Sequence, residues 1–100
     1  MALNIQIKLT RDSVCMGDDI EDHTKIINIA LQYDTSNAIM SIAKSYLPYV
    51  AGRGHTWDCY LNSEKIAIIN GNCTKITPLI NALVFVNDNG LYFKYHSATY

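Results

Sequence analysis

Residues 36–47, SNAIMSIAKSYL, form the only stretch in which helical periodicity outweighs alternation. Ala38, Ile39, Ile42, Ala43, Tyr46 and Leu47 recur at helical spacing and share one stripe. Asp34, Thr35 and Ser36 offer side-chain acceptors for the N–H groups of a first turn, and Pro48 closes the pattern. An amphipathic helix of about three turns cannot bury its own stripe, so this one requires a sheet to lie on.

Nearly all of the remaining chain reads as strand. Leu3, Ile5, Ile7 and Leu9 alternate with Asn4, Gln6, Lys8 and Thr10, the period of a half-buried strand. Residues 11–23, RDSVCMGDDIEDH, interrupt the alternation, which resumes over 25–33 with Ile27, Ile29, Leu31 and Tyr33 inward. Two consecutive strands with no helix between them are expected to pair antiparallel. Beyond the helix, 49–55 is a glycine-punctuated connection, and Trp57, Cys59 and Leu61 then alternate against Asp58 and Tyr60. Residues 62–64 read as a turn and 65–69 as a short apolar strand. Asn70-Gly71 carries the signature of a two-residue hairpin returning over 73–76. Pro78 argues against a central sheet position for the residues after it. Periodicity leaves the apolar run 79–86 open, although its β-branched end, 83–86, favours a strand. Residues 87–90 read as a turn, and Leu91, Phe93 and Tyr95 alternate with Tyr92, Lys94 and His96 in a last strand.

The predicted order is therefore β-β-α-β-β-β-β, a single α+β domain over residues 1–100. One helix covers one face of a mostly antiparallel sheet, and a β-grasp-like arrangement is one candidate because the helix follows the first hairpin. Leu3, Ile5, Ile7, Leu9, Ile27, Ile29, Leu31, Ile39, Ile42 and Trp57 are expected to share the core.

Composition narrows the function classes. Charged residues are 17% of the chain, below the usual ~25%, and thirteen isoleucines and seven tyrosines take their place. A filled β-rich core is the plainer reading of this bias; a tyrosine-rich surface covered by a partner is the sharper one. The net charge of −1 comes with basic residues scattered singly, which disfavours nucleic acid as a partner. Cys15, Cys59 and Cys73 are odd in number, far apart and without a C-x-x-C pair, so reduced thiols inside a cell are expected. The first residues, MALNIQIKLT, do not form a secretory signal, and no apolar run approaches the ~20 residues of a membrane helix. A soluble, cytoplasmic protein without membrane partners is the expectation.

The most distinctive chemistry is acidic. Asp18, Asp19, Glu21 and Asp22 place four of the nine carboxylates within five residues, with His23 adjacent. Such oxygens suit Ca²⁺ or Mg²⁺, but their spacing departs from the twelve-residue calcium loop, and one histidine falls short of a zinc set. No metal or cofactor is expected, and a solvated loop is the plain reading. The sharper reading is a patch that accepts from Lys and Arg on a basic protein partner. The cysteines and histidines lie in no local signature of a nucleophile–base pair, so no catalytic residue is nominated. Gly52-Arg53-Gly54 lacks phosphate-loop spacing, and the ending Ala98-Thr99-Tyr100 lacks the Gly-Gly of a β-grasp modifier or sulfur carrier. Tyr60, Tyr92 and His96 point outward by alternation and could form an exposed aromatic patch.

The segments LTRDSVCMGDDIEDH (9–23) and YLPYVAGRGHTW (46–57) resemble small uncharacterised bacterial proteins with an R-D-S-V-x-x-G-D-D stretch and a downstream G-x-x-x-T-W. The resemblance spans about a quarter of the chain and carries no established activity. It implies that Arg11, Asp12, Ser13, Gly17, Asp18 and Asp19 belong to one structural feature. The leading expectation is a non-enzymatic bacterial interaction protein of the immunity type, which neutralises a toxin, for example a nuclease, by binding it. Asp18, Asp19, Glu21 and Asp22 would make the contacts, with Tyr60 and Tyr92 as aromatic anchors. The alternatives are a small metal- or ligand-binding domain using residues 17–23 and a homodimeric structural module.

Overall fold

The computed structural model describes residues 4–12, 23–30, 35–50, 54–80 and 88–97. Strands β1 (Asn4–Arg11) and β2 (Lys25–Ala30) precede helix α1 (Thr35–Tyr46). Strands β3 (Thr56–Leu61), β4 (Glu64–Asn70), β5 (Lys75–Pro78) and β6 (Asn89–His96) follow it, so the expected β-β-α-β-β-β-β order holds. Among the described residues these six strands form one sheet in the order β2-β1-β6-β3-β4-β5. The β1–β2 pair is antiparallel, with Ile7 opposite Ile27, as consecutive strands favour. Among the described strands the one parallel pair is β1–β6, which sets Ile7 against Asn89 and Arg11 against Phe93. Every other pair is antiparallel, so the α+β sheet is mixed but mostly antiparallel. As a β-grasp-like arrangement requires, the helix follows the first hairpin.

The alternation decides which face is covered. Ile7 and Leu9 of β1, Trp57, Cys59 and Leu61 of β3, and Leu91 and Phe93 of β6 are buried on one face. Ala38, Ile39, Ile42 and Ala43 of the helix stripe join them in the same core, and Tyr46 meets Phe93 with ring centroids 5.9 Å apart. Ile5, Ile27 and Ile29 pack against this core half-buried, while Leu3 and Leu31 lie outside the described residues. The Leu47 N–H donates to the Ala43 carbonyl at 2.9 Å, carrying the helical bonding up to Pro48. Among the described residues no helix is long and apolar enough to cross a membrane.

Three turns differ from the sequence reading, each for a local reason. The two-residue hairpin lies at Asn62-Ser63, between the paired Leu61 and Glu64. Both central residues have positive φ, 51° and 73°, as a type I′ turn needs. At Asn70-Gly71, by contrast, Asn70 pairs with Lys75, so residues 71–74 make a four-residue loop and the return strand begins at Lys75 rather than Cys73. Here the Gly71 N–H donates to the His55 carbonyl at 2.9 Å. The Asn72 side chain clamps both backbone groups of Val50, at 2.8 and 2.9 Å. The loop is thus shaped by the connection it holds, and a tight turn would forfeit those bonds. Finally, Asn89 and Gly90 do not turn the chain; they open β6, with Asn89 buried. Of the apolar run, 81–86 lies outside the described residues.

Candidate functional site

The face of the sheet opposite α1 carries the candidate site. Tyr60 of β3 and Tyr92 of β6 are register partners, and alternation turns both away from the core. Their rings stack at 6.1 Å between centroids and 28° between planes. Tyr92 is held from its far end, where its hydroxyl donates to Oδ1 of Asp12. Oδ2 of the same carboxylate accepts from the Tyr95 N–H at 3.0 Å, and the Asp12 N–H donates to the Phe93 carbonyl at 3.1 Å. Asp12 thereby clips the end of β1 to β6. Partial burial, then the hydrogen bond and charge of Asp12, then Tyr60, push the Tyr92 phenol up to about 12.

Beside the tyrosines lies Gly90, outward between the buried Asn89 and Leu91. Both of its backbone groups are held by Asn62: its N–H donates to Oδ1 and its carbonyl accepts from the Asn62 N–H, each at 2.8 Å. A Cβ on Gly90 would meet nothing within 4 Å. A groove of about 660 Å³ opens there, walled by Tyr60, Tyr92, Thr10 and Lys94 and by the Asn62-Ser63 turn. On the other side of Gly90 a smaller groove of about 380 Å³ runs over Lys8, Gln6 and Ile26 to Asp88 and Asn89.

One strand position further along the same face, Asp58 is buried although alternation turns it outward. Its Oδ2 receives His96 Nε2 at 2.7 Å and Lys65 Nζ at 3.3 Å, and these two side chains cover it. A buried carboxylate is tolerated because the Lys65 ammonium and the His96 ring nitrogen both face it. Reading the chain locally missed this cluster. Asp58, Lys65 and His96 meet only once β4, β3 and β6 are known to be neighbours.

Of the nominated contacts, Tyr60 and Tyr92 are brought together. Asp18, Asp19, Glu21 and Asp22 lie outside the described residues, as do Ser13, Cys15 and Gly17. The chain enters that stretch from Asp12, beside Tyr92, and returns at His23, whose carbonyl accepts from the Tyr46 hydroxyl. Cys59 and Cys73 are free thiols. Burial pushes both pKa values up, against a small opposing effect of Lys44 on Cys73. His55 is buried in a tilted contact with Tyr95 at 5.9 Å, and its Nε2 makes no hydrogen bond among the described residues. Among the described residues no three His, Cys, Asp or Glu side chains converge as a metal site would need. Comparison of the chain with protein-family models, with curated proteins and with solved structures found no match.

Proposed function

We propose that this protein is a non-enzymatic interaction domain of the immunity type, which neutralises a toxin by binding it. The observation that carries the reading is the stacked Tyr60–Tyr92 pair on the sheet face that α1 leaves uncovered. Tyrosines supply large, stiff contact area with a polar tip, which is why they concentrate in the centres of protein interfaces. The Asp12 bond holds Tyr92 in one orientation before any partner arrives, so less side-chain freedom is lost on binding. The acidic residues Asp18, Asp19, Glu21 and Asp22 follow Asp12 in the chain and suit a basic toxin surface, where opposite charge chiefly raises the association rate.

The test uses the product of the gene adjacent to the one encoding this chain, because immunity genes sit beside their toxins. That product is expected to arrest growth alone, to be neutralised on co-expression with this chain, and to bind it directly. Tyr60→Ala and Tyr92→Ala should each weaken binding at least tenfold while the domain stays folded. Neutralisation without direct binding, or binding that neither variant changes, would overturn the proposal.

A further inference from the structure

The gap at Gly90 is open on the outer face and is not needed by the fold. Its backbone is extended, its N–H and carbonyl are both paired with Asn62, and a side chain there would touch nothing within 4 Å. Glycine in a strand interior weakens the strand and often marks where another molecule approaches closely. The hydrogen-bonding groups around the gap are unequal. The two oxygens of Asp12 are engaged by Tyr92 and the Tyr95 N–H. Asp58, directly across the strands from Lys94, is engaged by Lys65 and His96. The Lys8 and Lys94 ammonium groups make no ion pair or hydrogen bond among the described residues, and Lys8 sits in register with Gly90 itself. Among the described residues the Tyr60–Tyr92 half of the groove is lined by Lys94 and by no acid; Asp88 lines the far half, beyond Gly90. The face therefore offers a flat aromatic wall and unused positive donors.

We propose that the Gly90 groove is a docking track for an extended acidic segment of a protein partner. A carboxylate of that segment meets Lys94, and its flat or apolar neighbour lies on Tyr60 and Tyr92. The segment's backbone passes over Gly90, where a side chain would block it. This rests on the same Tyr60–Tyr92 wall as the toxin reading and adds an acidic segment of the partner held by Lys94. Loss of toxin binding in Tyr60→Ala with no effect of Lys94→Gln or Gly90→Val would keep the toxin reading and sink this one.

The probe is the blocked peptide acetyl-EYEYE-amide, with acetyl-QYQYQ-amide as its uncharged twin, each titrated into the full isotope-labelled chain and followed by amide shifts. The Glu peptide is expected to saturate with the largest shifts at Gly90, Tyr60 and Tyr92, and the Gln peptide to bind at least fivefold more weakly. Lys94→Gln should cost the Glu peptide about fivefold, the size of one exposed ion pair, and leave the Gln peptide unchanged. Gly90→Val is expected to melt no lower than the parent, since β-branched residues suit strands, and to weaken the Glu peptide at least tenfold. Should Gly90→Val fail to fold, Lys94→Gln still decides the matter. Equal binding of the two peptides, full binding by Gly90→Val, or no saturation at those amides at millimolar peptide would overturn the proposal. So would a thymidine oligonucleotide that shifts the same amides at lower concentration than the peptide.

Discussion

Two carboxylates on the outer face, Asp12 and Asp58, act by holding other side chains, and each can be tested singly. The Tyr92 phenol, ordinarily near 10, is raised to about 12 by burial and by Asp12. Because the folded value lies above the ordinary one, the neutral phenol favours the folded state below about pH 10. That contribution disappears as pH rises through about 12. In an absorbance titration of tyrosinate, Tyr92→Phe is expected to remove one late-ionising tyrosine. Asp12→Asn should bring that ionisation back toward the ordinary range; a late phase unchanged by Asp12→Asn would mean that Asp12 is not its cause. Asp58 poses a different question, since its partners Lys65 and His96 are themselves part-exposed. Asp58→Ala leaves Lys65 and His96 facing an emptied site and is expected to lower stability by about 1–3 kcal/mol, measured as a shift in denaturant midpoint. No shift would show the cluster to be a surface contact worth nothing net.

At the scale of elements, the helix and the hairpin turns carry separate stability terms. The α1 stripe buries Ile42 to 5% exposure in the core shared with β1, β3 and β6. Ile42→Ala is expected to cost about 2–5 kcal/mol, because it removes buried methyl groups and leaves a cavity. A loss under about half a kcal/mol would mean that the helix does not rest on the sheet. The Asn62-Ser63 turn holds a serine at φ 73°, a region that favours glycine. Ser63→Gly creates the preferred Asn-Gly pair and should raise the melting temperature by about 2–5 °C. The neighbouring position behaves oppositely: the Asn62 side chain accepts from the Gly90 N–H at 2.8 Å and donates to Asn89 Oδ1 at 3.3 Å. Asn62→Gly relieves φ 51° but loses both bonds, and is expected to lower stability by about 1–2 kcal/mol.

For the molecule as a whole, one face of the sheet is sealed by α1 and the other displays tyrosine, lysine and an isoleucine, Ile26, that is 57% exposed. The covered face holds the core, and the recognition proposed above draws on the opposite face and on the acidic stretch, so changes to that stretch should alter binding and leave stability in place. Converting Asp18, Asp19, Glu21 and Asp22 to Asn and Gln removes mutual repulsion among four close carboxylates. The melting temperature is expected to stay level or rise slightly. Association with a basic partner should slow, and the difference should shrink as salt shortens the Debye length below ~10 Å. A variant that unfolds would assign those carboxylates to the fold instead. In a parallel measurement, adding reductant should leave the melting temperature unchanged, and the buried Cys59 thiol should resist alkylation until the chain unfolds.

What the chain determined locally is the kind and order of its elements. Period two over 4–9, 56–61 and 91–96 and period 3.6 over 36–47 depend only on near neighbours, and they also dictate which side chains turn inward. Tyr60 and Tyr92 could be assigned to an outward face on that ground alone. That they stack on one another was decided by the sheet order, which puts β6 between β1 and β3 and sets Tyr92 against both Thr10 and Tyr60. The parallel pairing of the first strand with the last is chosen by the fit of the whole core, and no local pattern encodes it. The same pairing delivers Asp12 to Tyr92 and Lys8 to Gly90, and the β3–β6 and β3–β4 pairings deliver His96 and Lys65 to Asp58. Even the length of the 71–74 loop was settled at long range, by its bonds to His55 and Val50. Periodicity specifies a surface for each element, and only packing specifies which surfaces meet.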